Sequence, residues 1–257
     1  NLPRSDKGLF AWRWRPDTDP HADDPNNASD GEVLMAWALA RAAARWNVPA
    51  YREQAVRLAQ AVRHSLLRPT PYGQVLIPGA FGFEHADRLT LNLSYWVFPA
   101  FVELKRIDPA PEWDALTASG IKLINGARFG ELKLPPDWLQ LDKGGALRPA
   151  DGWPPRFGFD AIRIPFHACW AGLDTPELYA QANALWSQPT HPAWLDLESG
   201  EVAPYALSSG GRLIWQFMQH CISPAPQPLP LPQLEGEDYY SSVLGLLVVL
   251  AYSERAR

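Results

Sequence analysis

Asn26-Asn27-Ala28-Ser29-Asp30-Gly31-Glu32-Val33-Leu34-Met35-Ala36-Trp37-Ala38-Leu39 is a polar turn that runs without a break into an amphipathic stretch. Ser29 reads as an N-cap and Glu32, three residues on, completes the spacing of a capping box. With Val33, Leu34, Trp37, Leu39 and Trp46 on the apolar side, the pattern predicts a helix over about 30–47. Pro49 opens a second helix ending near Leu67, before Pro69, with Tyr51, Ala55, Leu58, Ala59 and Val62 as one stripe. The same period returns at about 94–106, 111–128, 159–172, 175–187, 207–221 and 238–254, which makes about eight helices. Strand signals are short: Gln74–Ile77, then pieces around Trp138–Leu141 and Ala146–Leu147, parted by Gly144-Gly145 as in a small hairpin. Three joins, at 8–28, 69–91 and 130–158, are long, and loops of that length inside a compact domain are uncommon unless they build a site. Residues 223–232 read as a stiff polyproline connector. The expected class is all-α, an antiparallel helical barrel or toroid with its long loops on one side.

Composition narrows the function. The 257 residues are 47% apolar and 20% charged, ordinary for a folded chain. A net charge of −5 with no Lys/Arg-rich run points away from nucleic acid as a partner. No apolar run approaches the length of a membrane span. With only Cys169 and Cys221, a bridge or two thiols are both open, and their apolar helical surroundings favour buried thiols. Tryptophan is the outlier, at 12 residues. Such an excess fills a thick aromatic core or supplies flat platforms, and in an acidic chain sugar rings suit platforms better than bases.

Two polar constellations stand out. Asp30 lies at the mouth of the first helix, where free N–H groups and the positive end of the dipole favour negative charge; that suits a base or a charge stabiliser, although Ser and Asp beside a helix start are also ordinary capping residues. Asp23-Asp24 with Asn26-Asn27 is a weak candidate for a divalent cation, without EF-hand spacing. Asp160 and Arg163, three apart in an aromatic and aliphatic setting, form the second constellation: on one helix face the Arg holds the carboxylate in place, against the plainer reading of a surface ion pair. Nucleophile elbows, phosphate loops, dinucleotide fingerprints and zinc-spaced cysteines have no match, and the six histidines are scattered. Phe10, Trp12, Trp14, Tyr95, Trp96, Trp138, Trp153, Tyr239 and Tyr240 fall mostly in loops or at helix ends beside acids and amides, as pyranose platforms would.

The order of these stretches resembles glycoside hydrolase family 8, and within it the periplasmic endoglucanases encoded with bacterial cellulose synthase. The resemblance rests on Gly8-Leu9-Phe10-Ala11-Trp12-Arg13-Trp14, the Asn26–Leu39 stretch, Asn92-Leu93-Ser94-Tyr95-Trp96, Pro136-Asp137-Trp138, Phe159-Asp160-Ala161-Ile162-Arg163 and Tyr239-Tyr240-Ser241-Ser242-Val243-Leu244. It spans almost the whole chain, and its Ala-Ser-Asp-Gly segment is the specific part. The resemblance implies a single catalytic domain over residues 1–257 with an (α/α)₆ barrel, cutting β-1,4-glucan with inversion and without metal or organic cofactor. It implies a periplasmic or secreted protein whose partners are the polysaccharide and the cellulose-synthase secretion machinery. Carried over, Asp30 is the central carboxylate beside the cleaved sugar and Asp160 the base that activates water; Trp12, Asn27, Tyr95, Trp96, Arg163 and Tyr239 are expected on the substrate.

Two departures qualify it. Leu93 stands where the family commonly has Pro. The family's proton donor, a Glu in a Glu-Gly-Gln-Ser-Tyr-Gly-like stretch upstream of the Ala-Ser-Asp segment, has no counterpart, so the resemblance implies a chain starting after the acid and the first helix or two. Glu32, Glu84 and Glu235 are the remaining acids near matched segments. The competing readings are a β-glucan-binding protein without the acid and, more remotely, a metal-dependent enzyme using Asp23 and Asp24.

Overall fold

The computed structural model describes residues 2–223, 228–229 and 238–255; most of the polyproline connector, and Glu235, lie outside them. The described residues hold eight α-helices and seven short strands. They group into two compact units, one running to Lys122 and including Gln140–Leu147, the other made of Leu123–Leu139 and the chain from Arg148.

In the first unit α1 (Ser29–Trp46) and α2 (Pro49–Leu66) form an antiparallel pair, with α3 (Phe98–Ile107) packed on both. Small residues make the close approach possible: Ala36 and Ala40 on α1 and Ala55 and Ala59 on α2 are buried beside Val33, Leu58 and Val62. Asn47, with φ 54°, ends α1 in the left-handed conformation that asparagine tolerates, and Pro49 starts α2 at once. The capping box predicted for α1 does not form. Ala28 is the N-cap, without a side-chain bond. Ser29 is buried and its N–H donates to the Pro78 carbonyl at 2.8 Å, while Glu32 turns inward instead of back to the cap.

After α2 the chain continues directly into β1 (Leu67–Thr70), paired antiparallel with β2 (Gly73–Leu76) from Leu67↔Leu76 to Thr70↔Gly73. Pro69 is no obstacle, because a two-stranded ribbon leaves each strand an unpaired edge. β3 (Arg88–Leu91) leads into a turn of 3₁₀ helix at Leu93–Tyr95, so the helix expected from 94 begins only at Phe98. α4 (Glu112–Gly126) then carries the chain out of the first unit. β4 (Leu139–Asp142) and β5 (Leu147–Pro149) flank the predicted glycine turn, where the N–H of Gly145 donates to Asp142 at 2.8 Å.

The second unit is built on α5 (Arg163–Trp170), α6 (Pro176–Trp186), α7 (Ser209–Ile222) and α8 (Tyr239–Arg255), with β6 (Arg156–Phe157) paired to β7 (Leu195–Asp196). α7 is central and touches the other three helices. Gly210 lets α8 lie against it: a Cβ there would run into the Ser241 carbonyl oxygen. Cys169 on α5 and Cys221 on α7 are joined in a disulfide, Cα to Cα 5.9 Å, which corrects the expectation of two buried thiols. The apolar helical setting that suggested free thiols is equally what brings two facing helices within bridging distance. No described helix is long and apolar enough to cross a membrane.

Candidate active site

The two acids singled out by sequence belong to different units, and each has its own environment. Asp30 occupies the first turn of α1, where its Oδ1 accepts from the Gly31 N–H at 2.9 Å. Asp30 is half-buried, and Glu32, two residues on, faces inward. Glu32 is 1% exposed, and its Oε1 accepts from the Phe10 N–H at 2.6 Å. Two residues on, the N–H of Trp12 donates to the Asn26 carbonyl at 2.9 Å, so the segment carrying Trp12 is fastened to the mouth of α1 at alternate residues. Trp12 is exposed, and its indole N–H donates to Asp24 at 2.8 Å, which holds that carboxyl below the usual range. Asp23 is clasped by Arg13 through both oxygens, at 2.8 and 3.0 Å. No group of three or more His, Cys, Asp or Glu able to hold a metal ion occurs among the described residues.

Asn27 is 5% exposed, and its side-chain oxygen accepts from the Ala80 N–H at 2.9 Å. Gly79 lies so close to the Asn27 carbonyl that a Cβ there would sit 2.6 Å from it. Asn27 therefore ties the 79–80 turn to the base of α1, and the expectation that it meets substrate is replaced by this buried role. Trp96 is corrected in the same way: it is 1% exposed with its indole N–H donating to the Leu116 carbonyl at 3.1 Å, a core residue and no platform. Tyr95, beside it, is half-buried.

Burial pushes the Glu32 carboxyl up to about 7 from an ordinary 4.5, against the pull of the Phe10 N–H and of Arg4. Because the folded value lies above the unfolded one, the contribution of the protonated group is present in full below about pH 4.5, fades as pH rises toward 7, and is gone above it. The loss is on the order of 3 kcal/mol. Glu32→Gln keeps an acceptor for Phe10 and carries no charge, so at pH 8 the variant is expected to melt above the parent, with the two curves meeting by about pH 4.5. Thermal melts across that range check it, and a variant less stable than the parent at pH 8 would contradict the buried-charge account.

In the second unit Asp160 sits in the turn just before α5, and Arg163 opens the helix with a guanidinium nitrogen 2.5 Å from its Oδ1. The ion pair read from the spacing is present, although Asp160 precedes the helix. Asp137 and Arg156 carry no role that the sequence alone suggests. Asp137 is 4% exposed and its Oδ1 accepts three backbone N–H groups, from Gly158 at 3.0 Å, Asp160 at 3.0 Å and Ala161 at 2.8 Å. Its Oδ2 takes the Arg156 Nε at 3.2 Å, and the Arg156 guanidinium lies 4.9 Å from the centre of the Phe159 ring. Burial, with the neighbouring Asp160 carboxylate, pushes Asp137 above the usual carboxylate range, opposed by the Ala161 N–H and by Arg156. Tyr240 donates its hydroxyl to the Phe159 carbonyl at 2.5 Å, and burial raises that phenol, keeping it a neutral donor. Tyr239, the tyrosine expected on the substrate, is 85% exposed. A cavity of about 220 Å³ beside the turn is lined by Phe159, Tyr205, Asp238 and Tyr240. Trp138 and Trp153 stack, ring centres 4.8 Å apart. The signal that could have drawn attention to Asp137 is an acid set between prolines and a short apolar strand, where a carboxylate is bound to be buried and must find donors.

The model of the family "Glycosyl hydrolases family 8" matches residues 1–254. This chain belongs to glycosyl hydrolases family 8. The family 8 chain is 37% identical over 260 residues to a "Probable endoglucanase" of Novacetimonas hansenii, a match covering 99% of the chain and 74% of that protein. It is 37% identical to an endoglucanase of Cellulomonas uda over 79% of the chain and 57% of that protein. Among solved structures, the endo-β-1,4-glucanase CMCax of Acetobacter xylinum superposes with a TM-score of 0.92 at 37% identity, covering 100% of the chain and 81% of that one. The family 8 endoglucanase Cel10 of Klebsiella pneumoniae matches with a TM-score of 0.92 at 34% identity, over 99% of the chain and 81% of that one.

Proposed function

We propose that this glycosyl hydrolase is an endo-β-1,4-glucanase that cleaves its polymer with inversion, residues 1–257 forming one catalytic domain of the (α/α)₆ type. The observation that carries the reading is the 37% identity to a probable endoglucanase over 99% of the chain. Asp160 takes the proton of the attacking water as the new bond to the anomeric carbon forms and the glycosidic C–O bond breaks; the leaving oxygen takes a proton from an acid. Asp30 stabilises the positive charge that develops on the sugar ring. Trp12, Tyr95, Arg163 and Tyr239 contact the glucan. Neither Glu32, buried on Phe10, nor Glu84, paired with Arg68 at 2.7 Å, is placed as a ready proton donor, and Glu235 lies outside the described residues. The protein works in the periplasm or outside the cell, beside the cellulose-secretion machinery.

The test is reducing-sugar release by the full-length protein from carboxymethyl-cellulose, with xylan and chitosan in parallel, and the anomer first formed read by proton NMR. The expected result is hydrolysis of the β-1,4-glucan giving the α-anomer first. Formation of the β-anomer would overturn inversion. Binding without release would make the protein a glucan-binding module.

A further inference from the structure

Asp137 takes no part in the chemistry proposed above, yet both of its oxygens are engaged, and the partners lie 19 to 24 residues away in sequence. Three N–H groups converging on one oxygen admit a single path for the backbone of 158–161, and Asp160 is the residue held within that path. A fifth bond runs the other way, from the Asp137 N–H to the Arg156 carbonyl at 2.7 Å, so the stretch carrying Asp137 and the strand entering the turn are locked together. The space is fully used: a Cβ on Gly158 would lie 3.0 Å from the Trp194 Cβ, 3.1 Å from Asp137 Oδ2 and 3.3 Å from Arg156 Nε. A carboxylate buried this deeply costs several kcal/mol unless it is bonded on every side, as this one is. What an apolar residue cannot supply is an acceptor for three converging N–H groups.

We propose that Asp137 is the positioning residue for Asp160: it fixes the backbone of the turn from behind, while Arg163 fixes the carboxylate from in front. The inference rests on Asp160 acting as the base. Misplacing a reacting group by about 1 Å costs about 10²-fold in rate, and the Asp137 contacts are what hold the turn against such a shift. Asn in place of Asp137 keeps an oxygen for the three N–H groups but faces Arg156 Nε with a donor, whereas Ala removes both interactions.

The experiment compares Asp137→Ala, Asp137→Asn, Gly158→Ala and Asp160→Asn in the full-length protein on carboxymethyl-cellulose, with and without sodium azide. Asp137→Ala is expected to lose about 10²-fold in kcat with KM within about threefold, and Asp137→Asn about tenfold. Azide restores part of the loss: it attacks the anomeric carbon in place of water, forming a C–N bond and needing no base, while the departing oxygen is protonated by the same acid as in hydrolysis. A merely structural defect gains nothing from azide. Should Asp137→Ala fail to fold, Gly158→Ala reads the same displacement with the carboxylate still present. Full kcat in Asp137→Ala or Gly158→Ala, or a loss that azide does not touch in folded protein, overturns the proposal. Asp160→Asn separates the two levels: if it is fully active, the base reading falls and this inference with it; if it is inactive while the Asp137 and Gly158 variants are unimpaired, only the positioning role falls.

Discussion

Asp160→Asn in the full-length protein is expected to lower turnover on β-1,4-glucan by about 10² to 10⁴-fold with little change in binding. The amide oxygen still accepts from Arg163, and the bond from residue 160 to Asp137 is made by the backbone N–H, so the turn keeps its shape and only the proton acceptor is lost. Such a loss corresponds to about 3 to 5 kcal/mol of transition-state stabilisation, and it belongs in kcat because water needs a base only in the chemical step. Asp30→Asn acts differently. A carboxylate that answers charge on the ring contributes to holding the sugar as well, so its loss is expected in kcat and in binding together. Steady-state kinetics on carboxymethyl-cellulose with both variants checks the contrast, and an Asp160→Asn enzyme with parental turnover would remove Asp160 from the chemistry.

The second large effect concerns the covalent link. The Cys169–Cys221 bridge closes a loop of 52 residues. Removing it frees the unfolded chain, and for a loop of that length the entropic estimate is about 4 kcal/mol. Cys169→Ala/Cys221→Ala is therefore expected to unfold at much lower denaturant than the oxidised parent, and the parent in strong reductant should move toward it. Arg255 limits how far α8 follows: its guanidinium donates to the Cys169 carbonyl at 2.9 Å, a bond to the backbone that survives the double substitution. Urea melts of the variant and of the oxidised and reduced parent measure the difference. A shift below about 1 kcal/mol would show that helix packing alone fixes α5 on α7.

Periodicity, with proline and capping signals, placed the helices of this chain: the Ala-rich faces of α1 and α2 are legible as spacing, whatever they pack against. The ends were less legible, since they are settled by partners far away in sequence. Glu32 has the spacing of a capping residue, and the Phe10 N–H, 22 residues upstream, claims it instead. Trp96 and Asn27 look like surface recognition residues because aromatic rings and amides beside acids are common at sugar sites; burial and the Leu116 carbonyl and Ala80 N–H assign them to the scaffold. Asp160 with Arg163 was readable because both partners fall within one turn of chain. Asp137 was quoted as part of a motif without a task, for its partners lie beyond any local pattern, as does the Phe159 carbonyl that accepts the Tyr240 hydroxyl.

Most backbone N–H groups of the turn before α5 are spent on the protein itself. The amides of Gly158, Asp160 and Ala161 go to Asp137, that of Ile162 to the Gly158 carbonyl at 2.9 Å and that of Arg163 to the Asp160 carbonyl at 3.1 Å. Many enzymes aim such convergent amides outward, where they grip whatever anion or carbonyl arrives and tie the chemistry to the chain trace. In the site proposed here a sugar at this turn would meet side chains: a carboxylate, a guanidinium and the rings of Phe159 and Tyr240. The two rings can be exchanged one at a time on an unchanged frame, so in the proposed enzyme selection could retune which glucan is preferred while the Asp160–Arg163 pair and the loop that carries it stay as they are.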